Sequence, residues 1–345
     1  RVLFRSVPVS RHARWVRAAA SLALGRSLSE GAFREPALRR VLREWTDAAP
    51  FDAAVASASS VAGYLQQDGL ERIPAFVDVM DVDSQKWFDF AERSRGPKRW
   101  LYRLEGSRVR RLEQNLPRWA QAVSLVSRAE AEAFESVAGP GTATAAANGV
   151  DLDYFQPIDV PAQQACAFVG ALDYLPNVDA AEWFAHKMWP MVREQFPYAE
   201  FWLIGRKPTA AVQRLTKIPG VKLIGQVPDV RPHLAAAAIA VVPLRLARGL
   251  QNKVLEALAM GKATIASPPA LAALQTEPGR HLLSATTPEE WLEAIHSLLA
   301  RPERRAELGK AGRLFVEEHH DWERCLQPLL DKIFRSGETR LRSSS

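Results

Sequence analysis

AIAVVPLRLARGLQNKVLEALAMGKATIASP, Ala238 to Pro268, is the stretch on which the reading of this chain turns. AIAVV is a short apolar, β-branched run of the kind that fills a buried parallel strand. PLRLARG is a basic turn with a glycine, NKVLEALAM reads as an apolar helix, and ATIAS is a second strand. Strand, turn, helix and strand in direct succession make one unit of a parallel α/β sheet. Glu256 is out of place in it. Its neighbours are Val254, Leu255, Ala257, Leu258, Ala259 and Met260, and a carboxylate buried among them costs on the order of several kcal/mol unless hydrogen bonds are donated to it. Ligand hydroxyls can donate them. Lys253, one turn earlier, sits near the amino end of the helix, where free N–H groups, the helix dipole and an ammonium together favour a phosphate. The pair can read a nucleotide, the cation and dipole taking the diphosphate and the carboxylate taking the ribose diol. An exposed i, i+3 ion pair on a surface helix is the bland reading of the same spacing.

Composition fits an ordinary folded chain. With 345 residues, 47% hydrophobic and 24% charged, it can bury substantial cores, and its length favours two domains. Cys166 and Cys325, its only cysteines, are too few for a disulfide framework and show no metal-ligand spacing, so a reducing compartment, the cytoplasm, is expected. No apolar stretch approaches the roughly 20 residues of a membrane span, and the first residues hold no signal-peptide core. Net charge is +6. A local excess lies in Arg93, Arg95, Lys98, Arg99, Arg103, Arg108, Arg110 and Arg111, against Glu105 alone. Such a patch suits an anionic partner, an anionic membrane surface included, and equally a solvated helix face. Nucleic acid is not expected, because no recognition motif accompanies the charge.

Outward from the opening stretch, apolar runs alternate with helical patterns, which predicts βα units and parallel sheets. In the first half the candidate strands are Phe51 to Ala56, Pro74 to Val79, Ala120 to Val126 and Ala143 to Ala147. Asn148-Gly149 is a turn signal, and Asp151 to Pro161 shows no clear period, so the boundary is expected there, with residues 1–157 as one domain and 158–321 as the other. The second series is Ala165 to Val169, Glu200 to Ile204, Val221 to Ile224, Ile239 to Pro243 and Thr264 to Ala266. Residues 322–335 read as an amphipathic helix packing back toward the first domain, and 336–345 as a disordered tail. The first domain reads as incomplete, since Arg1 to Ser29 offers one short strand candidate, Val7 to Ser10, and no Gly-rich turn. An amino-terminal truncation is expected, and Arg1 to Ser6 can be a cloning scar.

Open α/β sheets bind ligands at the carboxyl ends of their strands. Gly170 follows the first strand of the second domain, and its loop leads to a helix beginning near Asn177 or Asp179. Gly205-Arg206-Lys207 adds cations at the same edge. Ser127 and Glu130 have capping-box spacing, with Glu130 expected to reach back to the Ser127 amide. DVMDVDSQKW, Asp78 to Trp87, crowds three carboxylates past a strand. Asp81-Val82-Asp83 has the spacing that holds a divalent ion in one class of sugar transferases. With cations already at hand for a diphosphate, no metal site is assigned, and Asp81 and Asp83 are read as polar groups orienting an acceptor or sugar hydroxyl. The seven histidines are scattered and form no nucleophile–base spacing.

VGALDYLPNVDAAEWF, LIGR, GQVPDVRPHLAAAAIAVVPLR, GLQNKVLEALAMGKATIAS and HDWERCLQPLL together resemble the donor half of the GT-B glycosyltransferases of family 4. DVMDVDSQKW, VSRAEAEAF and NGVDLDYFQP look most like the sugar transferases associated with the exosortase and PEP-CTERM sorting system of Gram-negative bacteria. The resemblance spans roughly Val7 to Leu330 and implies an α/β protein of two Rossmann-like doubly wound domains with a cleft between them. It implies a nucleotide-diphosphate sugar as donor substrate, no cofactor, no metal requirement, and transfer with retention of configuration to a glycan or lipid-linked acceptor in exopolysaccharide or cell-surface glycan synthesis. Peripheral contact with the inner membrane face is compatible with that role. Glu256 matches the second glutamate of the family's E-x7-E element, which binds the ribose. Arg248 stands where the first glutamate belongs, which leaves the sugar's identity open. Lys253 matches a lysine of related subgroups, and Asn148 and Gly149 match the hinge motif. Lys253, Arg248 and Arg206 are the candidates for neutralising the departing diphosphate, with Gly170, Lys207, Gly249 and Asn252 completing the donor site.

The expected mechanism is transfer by positioning and electrostatics, without a covalent nucleophile. Two rivals remain. An epimerase or hydrolase of the same fold would share Glu256 but needs acid and base residues in the first domain, where only Asp78, Asp81 and Asp83 are at hand. A degenerate nucleotide-sugar-binding protein without catalysis is the other, suggested by Arg248.

Overall fold

The computed structural model describes residues 4–67, 69–247 and 249–343. The chain forms two units, one running to Ala146 and resuming at Gln327, the other Ala147–Leu326. Each is built on a parallel sheet.

In the first unit β1 (Ala54–Ser57), β2 (Ala75–Met80), β3 (Ala122–Leu125) and β4 (Thr144–Ala145) pair in that order, all parallel. Helices Asp83–Glu92 and Gly96–Asn115 connect β2 to β3, and Arg128–Ala138 connects β3 to β4. Val77, Val79, Val123 and Leu125 face a core completed by Leu116 and Phe134. The strands run in chain order without reversal, so among the described residues this sheet is one wing of a doubly wound arrangement. Val7 to Ser10, expected as a strand, is irregular. Pro8 has no N–H to give a ladder, and Ser10 leads straight into the helix Arg11–Ala23.

The helix Leu28–Phe33 starts with a capping box of Ser27 and Glu30. Its amino end also rests on the fully buried Glu105, whose carboxylate accepts from Leu28 N at 2.6 Å, Ser29 N at 2.9 Å and Ser29 Oγ at 2.8 Å. The basic run around Glu105 is therefore not one solvated face. Arg108 donates to the carbonyls of Leu22 (2.5 Å) and Arg26 (2.7 Å), closing the end of a helix whose last carbonyls lack intrahelical partners. Arg110 lies over the Phe88 ring at 4.6 Å. Arg93, Arg95, Lys98, Arg99, Arg103 and Arg111 are exposed.

In the second unit β5 (Gln163–Val169), β6 (Glu200–Ile204), β7 (Val221–Gly225), β8 (Ala237–Val242), β9 (Thr264–Ala266) and β10 (Leu283–Ser284) form one parallel sheet in the order β10-β9-β8-β5-β6-β7. That is the Rossmann order, two wings diverging from adjacent first and fourth strands. β10 was not readable, because two residues beside Ile265 and Ala266 carry no period. Trp189, Trp291, Phe168, Phe184 and Phe201 are fully buried in the core.

The division falls at Ala146/Ala147, earlier than the aperiodic segment Asp151 to Pro161 suggests. Val150 donates to the His320 carbonyl at 2.8 Å, and Arg313 donates to the carbonyls of Phe155 and Ala259, each at 2.6 Å. Leu152 and Phe155 pack on the second core. Residues 147–157 therefore belong with the second unit. From Gln327 the last helix, Trp322–Ser343, counts with the first, where Leu329 joins Phe76, Ala122 and Ala146. It continues through Ser343, so the stretch expected to be disordered from Ser336 is helical that far. Glu338, Arg340, Leu341 and Arg342 are favourable helix formers, and no proline follows Pro328. Ser344 and Ser345 lie outside the described residues. Cys166 and Cys325 are free and buried. No helix among the described residues is long and apolar enough to cross a membrane.

Candidate functional site

Where neighbouring strands send their connections in opposite directions, a crevice opens at their carboxyl ends. In the second unit those strands are β5 and β8. β5 delivers Gly170 and the loop to Asn177, and β8 delivers the turn that leads into the helix Asn252–Ala259.

The loop after β5 is fixed from below. Gly170 N donates to the Ile204 carbonyl at 3.0 Å and Leu172 N to that of Arg206 at 2.9 Å. Gly205 has φ of 154°, and a Cβ there would stand 1.7 Å from the Gly170 oxygen, so only glycine allows the two loops this approach. Buried Asn177 donates its amide to the Ala171 carbonyl at 2.9 Å, and its Oδ1 accepts from Lys253 Nζ at 3.0 Å. One side chain thus ties the β5 loop to the lysine of the helix after β8. Sequence reading noted Asn177 only as a helix start. Its signal, an amide seven residues past a strand-end glycine, is not specific enough to find it.

Lys253 and Glu256 do not pair with each other; the ammonium goes to Asn177 and, at 3.5 Å, to Gln251. Burial depresses Lys253 to about 8, with Glu256 pulling the other way. Burial raises the Glu256 carboxyl, opposed by Lys253. Half-buried Glu256 accepts no side-chain hydrogen bond among the described residues. The Gln251 side chain does not cap the helix, which leaves N–H groups, an ammonium and an unsatisfied carboxylate along one short helix. The exposed ion pair is not what forms.

Other expected residues gather at the same helix start. Asn148 Nδ2 donates to Asn252 Oδ1 at 3.2 Å, and the Asn148 carbonyl lies 3.0 Å from His320 Nδ1. A Cβ on Gly149 would lie 2.7 Å from the backbone and ring of Trp322, so that position is held small by packing. Gly249, at φ 61°, precedes the helix in the turn. Arg206 and Lys207 are exposed, the Lys207 ammonium 3.9 Å from Asp173. Arg248 lies outside the described residues. A pair absent from the sequence reading also sits here: Arg245, just past β8, grips Asp179 with two guanidinium nitrogens.

In the first unit Asp81 and Asp83 share one cation, Lys86, at 2.8 and 3.2 Å. Burial opposes that ammonium, yet the two carboxylates hold it above its ordinary value. Ser59 Oγ donates to Asp83 at 2.7 Å. Both carboxylates thus have partners within the chain. Ser127 does cap its helix through Glu130 N, at 3.1 Å, but the Glu130 carboxylate takes Val82 N at 2.9 Å instead of reaching back. The expected capping box is therefore half formed, its acidic arm fixing the turn that carries Asp81 and Asp83.

Residues 163–301, from β5 onward, match the family model of glycosyl transferases group 1. No curated protein matches the chain. Among solved structures, sucrose-phosphate synthase from Thermosynechococcus elongatus aligns at a TM-score of 0.66 and 19% identity, over 90% of this chain and 78% of that one. Anabaena HepE, in complex with UDP and glucose, aligns at 0.66 and 15% identity, over 86% and 81%. A TarM mutant from S. aureus, in complex with fondaparinux, alpha-GlcNAc-glycerol and UDP, aligns at 0.65 and 11% identity, over 84% and 57%. At these identities the likeness is one of fold. The chain has the GT-B glycosyltransferase fold, and the match to the group 1 model falls within its second unit.

Proposed function

We propose that the protein is a glycosyltransferase whose second unit binds a nucleoside-diphosphate sugar and which transfers the sugar, with retention of configuration and without a metal, to a hydroxyl of a glycan or lipid-linked acceptor. The observation that carries this reading is the helix Asn252–Ala259 at the β5–β8 crevice, where Lys253 is held by Asn177 and the half-buried Glu256 carboxylate accepts no hydrogen bond from the described residues. A ribose diol supplies the two donors that Glu256 lacks. The diphosphate meets Lys253 and the uncapped helix start. As the bond from the anomeric carbon to the diphosphate oxygen breaks, negative charge grows on that oxygen, and fixed positive charge beside it lowers the barrier. The acceptor oxygen forms the new bond, and its proton leaves with the diphosphate. Support for the nucleotide class comes from HepE and TarM, whose structures contain UDP.

The acceptor reading is a cell-surface glycan or exopolysaccharide precursor, of the kind suggested by the likeness to exosortase-associated transferases. The exposed Arg93, Arg95, Lys98, Arg99, Arg103 and Arg111 suit peripheral contact with an anionic membrane surface. A thermal-shift panel of nucleotide sugars tests the donor assignment, since a ligand that binds only the folded chain stabilises it increasingly above its dissociation constant. One nucleotide sugar is expected to raise the midpoint, and Glu256→Ala to reduce the rise at the same ligand concentration. A panel without any shift removes the proposal. Binding without transfer to any acceptor supports the non-catalytic reading, and sugar release without acceptor supports the hydrolase.

A further inference from the structure

The first unit contains a cavity of about 460 Å³ between its amino-terminal helices and the 3₁₀ segment Ser59–Gln66 that follows β1. The volume lies within the range of roughly 300–1,000 Å³ typical of small-molecule sites. Its lining is strongly one-sided. Arg26, Arg34, Arg39 and Arg43 contribute four guanidinium groups, and Glu30 contributes the single carboxylate. That carboxylate is already engaged, accepting from Ser27 N at 3.2 Å and Ser27 Oγ at 3.0 Å. Two donors of the lining are buried and unmet: Arg39 Nε and the Gln67 side-chain amide have no hydrogen-bond partner among the described residues. Guanidinium groups gathered together repel one another: burial, with neighbouring Arg39 and Arg26, lowers Arg34 from its ordinary value, and Glu30 opposes this only in part.

A folded chain gains nothing from gathering four arginines around a cavity and leaving a buried donor of one unpaired, whereas a ligand with several anionic oxygens resolves both costs. Arginine's planar fork matches phosphate oxygens two at a time. We propose that this cavity is a phosphate-binding site, taking a ligand with a phosphate monoester or diphosphate group. All of its lining lies in the first unit, so the proposal does not depend on the donor site around Lys253.

The test uses inorganic pyrophosphate as probe and the full chain carrying Lys253→Ala, which weakens any binding at the donor helix. Calorimetric titration is expected to show one saturable site. Adding Arg34→Gln and Arg39→Gln is expected to weaken it at least about tenfold, since two charge-assisted contacts are lost. Relief of like-charge crowding is expected to leave that variant no less stable to urea. If the double change prevents folding, exposed Arg43→Gln alone provides the readout with a smaller loss. Absence of saturable pyrophosphate binding, or an affinity indifferent to all the arginine substitutions, overturns the proposal. A second arm identifies the source of the phosphate. Sedimentation with phosphatidylglycerol vesicles that pyrophosphate competes away assigns a lipid headgroup, and pyrophosphate binding without vesicle binding assigns a free phosphorylated compound.

Discussion

Two helix starts in this molecule pose the same electrostatic problem and answer it differently. At the helix Leu28–Phe33 the free N–H groups meet the chain's own Glu105, which is fully buried and accepts three hydrogen bonds there. At the helix Asn252–Ala259 the Gln251 side chain does not cap the end, and among the described residues nothing donates a hydrogen bond to the Glu256 carboxylate. The first arrangement is finished by the fold and serves stability. The second is left incomplete by the fold, and an incomplete polar site at a topological switch point is what a ligand completes. Glu113 stands between them. It is fully buried, one oxygen accepts from Ser84 N at 3.0 Å, and the other has no partner among the described residues.

The contrast breaks most decisively at Glu105. Replacing it by alanine strands two backbone donors and a hydroxyl, and an expected loss on the order of 3–5 kcal/mol takes a large share of ordinary domain stability. Urea denaturation measures it. A midpoint shift no larger than that of a surface control would show that the Leu28–Phe33 helix does not depend on its internal anion.

Glu113 should give the next largest effect, visible through pH. Burial raises its carboxyl to about 7, against hydrogen bonding from Ser84. With the folded value above the unfolded one, the native state holds the proton more tightly, so its contribution is complete in acid and lost as pH climbs from about 4.5 through about 7. The full swing is up to about 3 kcal/mol. Glu113→Gln keeps an acceptor for Ser84 N and cannot ionise, so its urea stability should not show that fall. Parallel pH profiles for the two proteins would remove Glu113 as the cause.

Glu256 should behave as the inverse of Glu105. Glu256→Ala deletes a carboxylate that the fold does not satisfy, so stability is expected to hold or rise slightly, while affinity for the nucleotide sugar falls about ten- to thirtyfold. Loss of stability with binding intact would turn the comparison around and make Glu256 a structural residue.

Most of this organisation is legible in the residues. Nine of the strands follow apolar runs visible by eye, most plainly β3 and β8, which are buried along their whole length and written largely in Val, Ile, Leu and Ala. Lys253 and Glu256 are legible for a related reason, since charge inside an apolar helix needs an explanation. What could not be read depends on distance along the chain. Asn177 meets Lys253 across 76 residues, and Glu105 meets Leu28 across 77. Nothing local distinguishes Glu105 from any glutamate in a basic helix. The arginines of the first-unit cavity are equally silent, since nothing local in Arg26, Arg34, Arg39 and Arg43 shows that the fold gathers them around one cavity with the 3₁₀ segment. The domain boundary was misplaced for the same reason, the contacts of Val150 and Phe155 being made with residues far downstream.

The smallest expected effect is the most specific to the second helix start. Burial depresses Lys253 to about 8, and a bound diphosphate stabilises the ammonium, so donor binding takes up a proton wherever the lysine is otherwise neutral. Affinity should therefore be nearly level below pH 7 and weaken by about tenfold between pH 7 and 9. Lys253→Arg, whose guanidinium stays charged throughout that range, should bind less well at pH 7 because its fork does not reproduce the single contact to Asn177, yet should show no such decline. Titrating the nucleotide sugar at a series of pH values separates the two. A wild-type profile that stays flat to pH 9, or an arginine variant that falls in parallel, would mean that the titrating group is not Lys253 and that the diphosphate is held elsewhere on the chain.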